Sequence, residues 1–159
     1  MSESRLGFSK PYAYSIKKCK KLFKRFGKGA EFRKGAFAVS CENISIGENV
    51  VIRTGCMLFG VGNIIIEDNV LIGNSVHIYT TNHKHKNKNK PIIEQGFEIP
   101  KQTILKKGCW VGSYTVILAG VVVGENAVIG AGSIVTKSVP KGETWVGNPA
   151  KKIRKRRCG

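Results

Sequence analysis

Large apolar residues recur every six positions through the second half of the chain, at Leu105, Val111, Ile117, Val123, Ile129 and Val135. Four positions after each stands a small or medium side chain, at Cys109, Thr115, Val121, Ala127, Ser133 and Val139, and glycine follows the apolar residue at Gly112, Gly124 and Gly130. The same beat runs earlier through Ile46, Ile52 and Leu58 and, after a two-residue slip, through Ile66, Ile72 and Ile78. A period of six fits neither a lone helix nor a hairpin, but it is a multiple of the strand period. Each unit therefore reads as a short strand plus a corner, with one large residue pointing inward and one small residue filling the next turn. Three units close a triangular coil. Glycine beside the apolar residue suits a corner that needs positive φ or close backbone approach, while Val, Ile and Thr fill the flat faces. Repetition at a short fixed period marks a stacked solenoid whose open end coils must be capped. A β-sandwich with chance hexads is the competing architecture.

The beat is interrupted once. After Ile78 the chain runs TTNHKHKNKNKPIIEQGFEIP before Leu105 restores the register. This divides the sequence into a basic N-terminal segment over 1–43, a repeat domain over 44–140 carrying a loop over 83–103, and a basic tail over 141–159. A loop this long without secondary structure of its own is functional or disordered, and it holds His83 and His85, two of only three histidines. In the N-terminal segment Ile16, Cys19, Leu22, Phe23 and Phe26 follow helical spacing between Pro11 and Gly27, with Lys17, Lys18, Lys20, Lys21, Lys24 and Arg25 on the remaining arc. That pattern predicts an amphipathic basic helix, either laid over the first open coil as a cap or resting on an anionic membrane surface.

Charge and cysteine usage narrow the class. The formal net charge is +17, from 27 Lys or Arg against 10 acids, and it concentrates in the first 34 residues and in the tail from Lys151 to Arg157. No nucleic-acid reading module accompanies it and aromatics are not interleaved through the basic runs, so nucleic acid is not the expected partner. Five cysteines form an odd set with no CxxC pair, which reads as reduced packing thiols of a cytoplasmic protein. No apolar run approaches the roughly 18 residues of a membrane span, and the N-terminus lacks the apolar core of a signal peptide.

Three stretches carry a family resemblance: TTNH at Thr80 to His83, CWVGSYTVILAGVVVGENAVIGAGSIVTKSVP at Cys109 to Pro140, and GNPAKKIR at Gly147 to Arg154. They resemble the hexapeptide-repeat acyltransferases, an all-β family built on a left-handed parallel β-helix, and within it the galactoside, maltose and surface-polysaccharide O-acetyltransferases. The handedness comes from the resemblance alone, because crossovers between parallel strands are otherwise right-handed. The resemblance implies acetyl-coenzyme A as co-substrate, no metal, a homotrimer, and a sugar or glycan acceptor; the cysteine usage and the basic helix add the expectation that an anionic or lipid-linked acceptor is met in the cytoplasm or at the inner face of the membrane.

It also implies roles for individual residues. His83 falls where the family carries its catalytic histidine, with His85 as the fallback. A neutral imidazole can take the proton of a sugar hydroxyl as its oxygen attacks a thioester, and can return it to the leaving thiolate. Asn82 or a backbone carbonyl would hold the other ring nitrogen. Trp110 matches the tryptophan lining the pantetheine tunnel, and Ser113 matches the residue whose backbone N–H faces the thioester oxygen. Ala131 matches a backbone contact to pantetheine, Lys137 a phosphate contact, and Lys151 and Arg154 basic positions near the adenosine 3′-phosphate. Where the galactoside enzymes place an asparagine and an aspartate on the acceptor coil, this chain has Arg53 and Val61, so the galactoside acceptor mode is not supported. Arg53, Asn82 and His85 are the candidate acceptor contacts. With Lys84, Lys86, Lys88 and Lys90, Arg53 would form a positive rim for an anionic sugar, a nucleotide-sugar diphosphate or a lipid pyrophosphate. Competing functions are N-acetylation of an amino sugar, a zinc lyase of the same fold, which needs three histidine ligands that the spacings here do not supply, and a scaffold without catalysis.

Overall fold

The computed structural model describes residues 16–155, with side chains described over 17–153. Five triangular coils stack along one axis. The first comprises β1 (Arg25–Phe26), β2 (Glu31–Phe32) and β3 (Phe37–Val39), the second β4 (Ile44–Ile46), β5 (Val51–Ile52) and β6 (Met57–Phe59), and the third β7 (Ile64–Ile66), β8 (Leu71–Ile72) and β9 (His77–Ile78). After the excursion come β10 (Thr103–Leu105), β11 (Trp110–Val111) and β12 (Val116–Ile117), then β13 (Val122–Val123), β14 (Val128–Ile129) and β15 (Ile134–Val135). The strands pair in parallel from coil to coil into three sheets: β1-β4-β7-β10-β13, β2-β5-β8-β11-β14 and β3-β6-β9-β12-β15. The architecture is the left-handed parallel β-helix expected from the resemblance.

The register follows from the hexads. Ile46, Ile52, Leu58, Ile72, Ile78, Leu105, Val111, Ile117, Val123 and Val135 are fully buried along the axis, each contributing about 1.5–3 kcal/mol of burial. Thr80, Thr103, Thr115 and Ser133 join them with every buried hydroxyl hydrogen-bonded. Of the two roles open to Gly112, Gly124 and Gly130, the left-handed backbone of the corners is not theirs. It falls two residues later, at Tyr114, Asn126 and Gly132, and equally at Asn49, Asn69 and Ser75. The glycine beside the apolar residue serves close approach instead. A Cβ on Gly112 would stand 2.5 Å from the Ala131 nitrogen of the next coil.

Both ends differ from the expectation. The coils start at Arg25, within the segment read as preceding the repeat, because Phe26, Phe32 and Ala38 hold the inward positions of a first coil. The helix α1 (Ile16–Leu22) is correspondingly shorter than the Pro11 to Gly27 pattern, and its start near Pro11 lies outside the described residues. Cys19 and Phe23 are buried in the core, and Phe23 packs against Phe32 at 5.3 Å between ring centroids. The helix therefore caps the first coil, with Lys17, Lys20 and Lys21 exposed. At the other end the basic tail folds back: β16 (Glu143–Val146) adds to β14 in parallel, and β17 (Lys151–Lys155) pairs antiparallel with β16. Trp145 Nε1 and Lys152 Nζ both bond the Glu143 carboxylate, at 2.8 and 2.7 Å.

Every lengthening of the coil falls on one edge of the prism, between the third and first sheets. The slips between coils one and two and between two and three are 3-10 turns at Cys41–Asn43 and Gly60–Gly62. The excursion between β9 and β10 leaves from the same edge.

Candidate active site

Two clefts carry the candidate residues. The first is a trough of about 490 Å³ on the second sheet and its following edge, lined by Arg53, Leu71, Gly73, Trp110, Gly112, Ser113, Val128, Gly130 and Ala131. Its walls are the outward positions of consecutive strands, where β8, β11 and β14 place Leu71, Trp110 and Val128 in one column. Its floor is the corner column Gly73, Gly112 and Gly130. A Cβ on Gly73 would lie 2.5 Å from the Ser113 nitrogen, so glycine leaves that amide uncovered. Ser113 turns its hydroxyl away as acceptor for the Asn74 N–H at 3.0 Å, and its carbonyl accepts from Gly132 at 2.8 Å. Among the described residues the Ser113 and Ala131 amides donate to no acceptor. Two residues with unbonded backbone donors thus line a trough walled by a half-exposed tryptophan, an arrangement suited to a carbonyl or amide oxygen.

The second cleft, of about 350 Å³, lies where the excursion leaves the prism and is lined by Val39, Phe59, Val61, Tyr79, Thr81, Asn82, His83, Phe97, Glu98 and Pro100. Here a short antiparallel neck holds His83. Its backbone bridges to Phe97, Lys84 N–H donates to the Gly96 carbonyl at 2.9 Å, Glu98 N–H to Asn82 at 2.8 Å, and Lys101 N–H to Thr80 at 2.7 Å. The His83 ring is exposed and packs on Phe97 with centroids 4.3 Å apart. Beneath it Phe59 and Tyr79 stack at 4.7 Å.

The neck is pinned to the prism by threonines that the sequence reading passed over. Thr80 Oγ1 donates to the Phe59 carbonyl at 2.6 Å and accepts the Gly62 N–H at 2.8 Å. Thr103 Oγ1 donates to the Tyr79 carbonyl at 2.8 Å and accepts the Gly120 N–H at 3.2 Å. Gly62 is required for close approach, since a Cβ would meet Pro100 Cβ at 2.6 Å. Beyond the neck, Gln95 bonds the loop to itself through the Asn87 N–H and carbonyl and the Lys90 carbonyl.

The sequence-derived set is thus divided. Trp110, Ser113, Ala131 and Arg53 line the trough, and Lys151 stands in β17, on the same sheet beyond β14 and β16. Arg154 pairs by backbone with Thr144, but its side chain lies outside the described residues. His83 and Asn82 line the second cleft. His85 stands outside it, its Nδ1 3.3 Å from the His83 carbonyl oxygen. Among the described residues Asn82 makes no side-chain hydrogen bond to the His83 ring. Lys137 is exposed after β15, on the edge from which the excursion leaves and away from the trough. Four cysteines are buried as packing residues. Burial pushes the Cys109 thiol up to about 12 and the Cys41 thiol up to about 11, so neither offers a thiolate near neutrality. Among the described residues no group of His, Cys, Asp or Glu is placed to hold a metal ion.

Residues 102–137 match the family profile described as bacterial transferase hexapeptide (six repeats). No curated protein matches the chain. Among solved structures, a maltose O-acetyltransferase from Clostridium difficile 630 is 31% identical with a TM-score of 0.80, the match covering 89% of this chain and 74% of that one. A hexapeptide-repeat-containing acetyltransferase from Vibrio cholerae O1 biovar eltor, complexed with acetyl-coenzyme A, is 26% identical with a TM-score of 0.82, covering 88% and 75%. AntD, an N-acyltransferase from Bacillus cereus in complex with dTDP and 3-hydroxybutyryl-CoA, is 25% identical with a TM-score of 0.71, covering 93% and 92%.

Proposed function

This chain belongs to the family of hexapeptide-repeat acyltransferases, and from that premise we propose that it transfers acetyl from acetyl-coenzyme A to a sugar hydroxyl of a surface polysaccharide or its precursor. The observation that carries the donor side is the trough: the indole of Trp110 beside the unbonded amides of Ser113 and Ala131, with the cationic β17 strand on the same sheet. Pantetheine threads past Trp110 and Ala131, and the phosphates meet Lys151 and Arg154. The thioester carbonyl oxygen points at the Ser113 N–H. His83 removes the hydroxyl proton as the acceptor oxygen attacks that carbonyl, and the Ser113 amide stabilises the tetrahedral oxyanion. Collapse breaks the C–S bond, and the proton passes from His83 to the coenzyme A thiolate. No covalent enzyme intermediate is needed. A base of this kind contributes on the order of 10²–10⁴ in rate, and an oxyanion donor about 10²–10³.

His83 and the trough lie on different flanks of one prism. This division supports a site completed by a neighbouring copy, in a cytoplasmic homotrimer that sets the trough of one subunit against the neck of the next. Lys137, on the neck's edge, then joins the phosphate contacts from across the interface. N-acylation of a nucleotide-linked amino sugar is the second reading, favoured by the likeness to AntD.

The test follows coenzyme A thiol release together with acetyl transfer to candidate sugars. His83→Ala is expected to lower kcat by about 10²–10⁴ while leaving the thermal midpoint unchanged, because the ring is exposed. Hydroxylamine then distinguishes the products: a labile ester supports O-transfer, and a resistant amide replaces it with the N-acyl reading. Unchanged turnover in His83→Ala would overturn the assigned base.

A further inference from the structure

Arg53 terminates the trough at the end away from β17. Pairing of β2, β5, β8, β11 and β14 sets Phe32, Ile52, Ile72, Val111 and Ile129 in one inward row. The next residue in each coil forms an outward corner column: Arg33, Arg53, Gly73, Gly112, Gly130. The column changes from arginine to glycine between the second and third coils, where the floor of the trough begins. Arg33 is held by Glu31 at 2.9 Å. Arg53 lines the trough, is exposed, and has no acidic or hydrogen-bonding side-chain partner among the described residues. It sits two coils from Ser113, about 10 Å at a rung spacing of about 4.8 Å. No carboxylate lines the trough to neutralise it.

We propose that Arg53 is an anion subsite for the acceptor, so that the preferred acceptor is a sugar bearing a phosphate or carboxylate. This rests on the sugar acetyltransferase reading and specifies its substrate class. A guanidinium presents a planar fork of donors that pairs bidentately with either oxyanion. Its place beyond Ser113, opposite to β17, separates it from the cations assigned to the coenzyme phosphates. An uncharged acceptor would leave this fork facing water and gain nothing from it.

The experiment compares glucose 1-phosphate, glucuronate and glucose as acceptors for the wild-type protein and for Arg53→Gln, at fixed ionic strength with acetyl-coenzyme A. The expected result is preference for one or both anionic sugars. Arg53→Gln should raise KM for them by about tenfold or more, leaving KM for acetyl-coenzyme A and the thermal midpoint unchanged. Preference for the phosphate over the carboxylate assigns the subsite to a phosphorylated or nucleotide-linked precursor, and the reverse preference to a uronate. Equal use of glucose and the anionic sugars, or indifference of acceptor KM to Arg53→Gln, overturns the proposal while leaving the acetyltransferase reading standing. A raised KM for acetyl-coenzyme A instead would return Arg53 to the donor site. Transfer to none of the three sugars, in protein that binds acetyl-coenzyme A, overturns both.

Discussion

A methyl group on Gly73 would stand 2.5 Å from the Ser113 nitrogen, so the oxyanion donor of the proposed reaction depends on a residue that adds no side-chain atom to it. Cys109 is equally a matter of space. Its thiol is pushed up to about 12 by burial, with the Glu67 charge adding to the effect, so the folded protein keeps a proton that the unfolded chain gives up near pH 9. A raised thiol pKa stabilises the fold fully below the unfolded value, and that contribution is lost as pH rises through the folded value. Thermal midpoints are therefore expected to fall steadily from pH 9 upward. Cys109→Ala should make that slope shallower without changing activity, the buried Cys19, Cys41 and Cys56 thiols supplying the rest, and an unchanged slope would remove Cys109 as a source. The sequence reading identified these cysteines as packing residues because Cys56 and Cys109 share the small column of the hexads.

At the scale of the element, the excursion is a long loop whose two ends are fixed. Its base is knit by Thr80, Thr103 and the neck ladder, and the cost of ordering its chain is met where it meets the prism. Thr80→Val keeps the shape and removes both hydrogen bonds of a fully buried hydroxyl. Turnover is expected to fall about tenfold or more, with KM for acetyl-coenzyme A unchanged, since a displacement near 1 Å at a base is costly. Thr80→Ser restores the bonds and should restore turnover. Failure of the serine to rescue, or a matching rise in KM, would reduce Thr80 to a fold residue. The place of His83 at the mouth of the excursion could be read from sequence because TTNH is a local motif. The threonine pins were not, because each bonds a carbonyl about twenty residues distant, a separation visible only once coils are stacked. The first coil was missed for a related reason. Phe26 satisfies both the helical spacing of α1 and the hexad of β2 and β3, and the buried axis decided between them.

For the whole molecule, the proposed pairing of one subunit's trough with its neighbour's neck has a direct check. His83→Ala and Gly73→Ala damage opposite halves of the site. Each alone is expected to be nearly inactive, but subunits mixed by co-refolding should recover up to about a quarter of wild-type activity if each site draws one half from each of two copies in a ring. No recovery from mixed oligomers would confine the site to one chain. The solenoid and its residue column were readable from period alone, because a hexad repeat admits few stackings. The division of the candidate residues between two flanks was not, because adjacent hexads in the chain occupy different faces of a triangle.

The single edge that takes all the added length has its own consequence. The other two edges fix the pitch, since every coil spends the same number of residues there, whereas the third behaves as an expansion joint. Chemistry attached to that joint can be replaced wholesale without retuning the stack: a shorter or longer insert alters what the neck presents and leaves the rungs in register. What the neck adds to the acceptor site can therefore change at one seam of the prism while the trough, with Arg53 at its end, is built from rungs of fixed length on another flank and stays as it is.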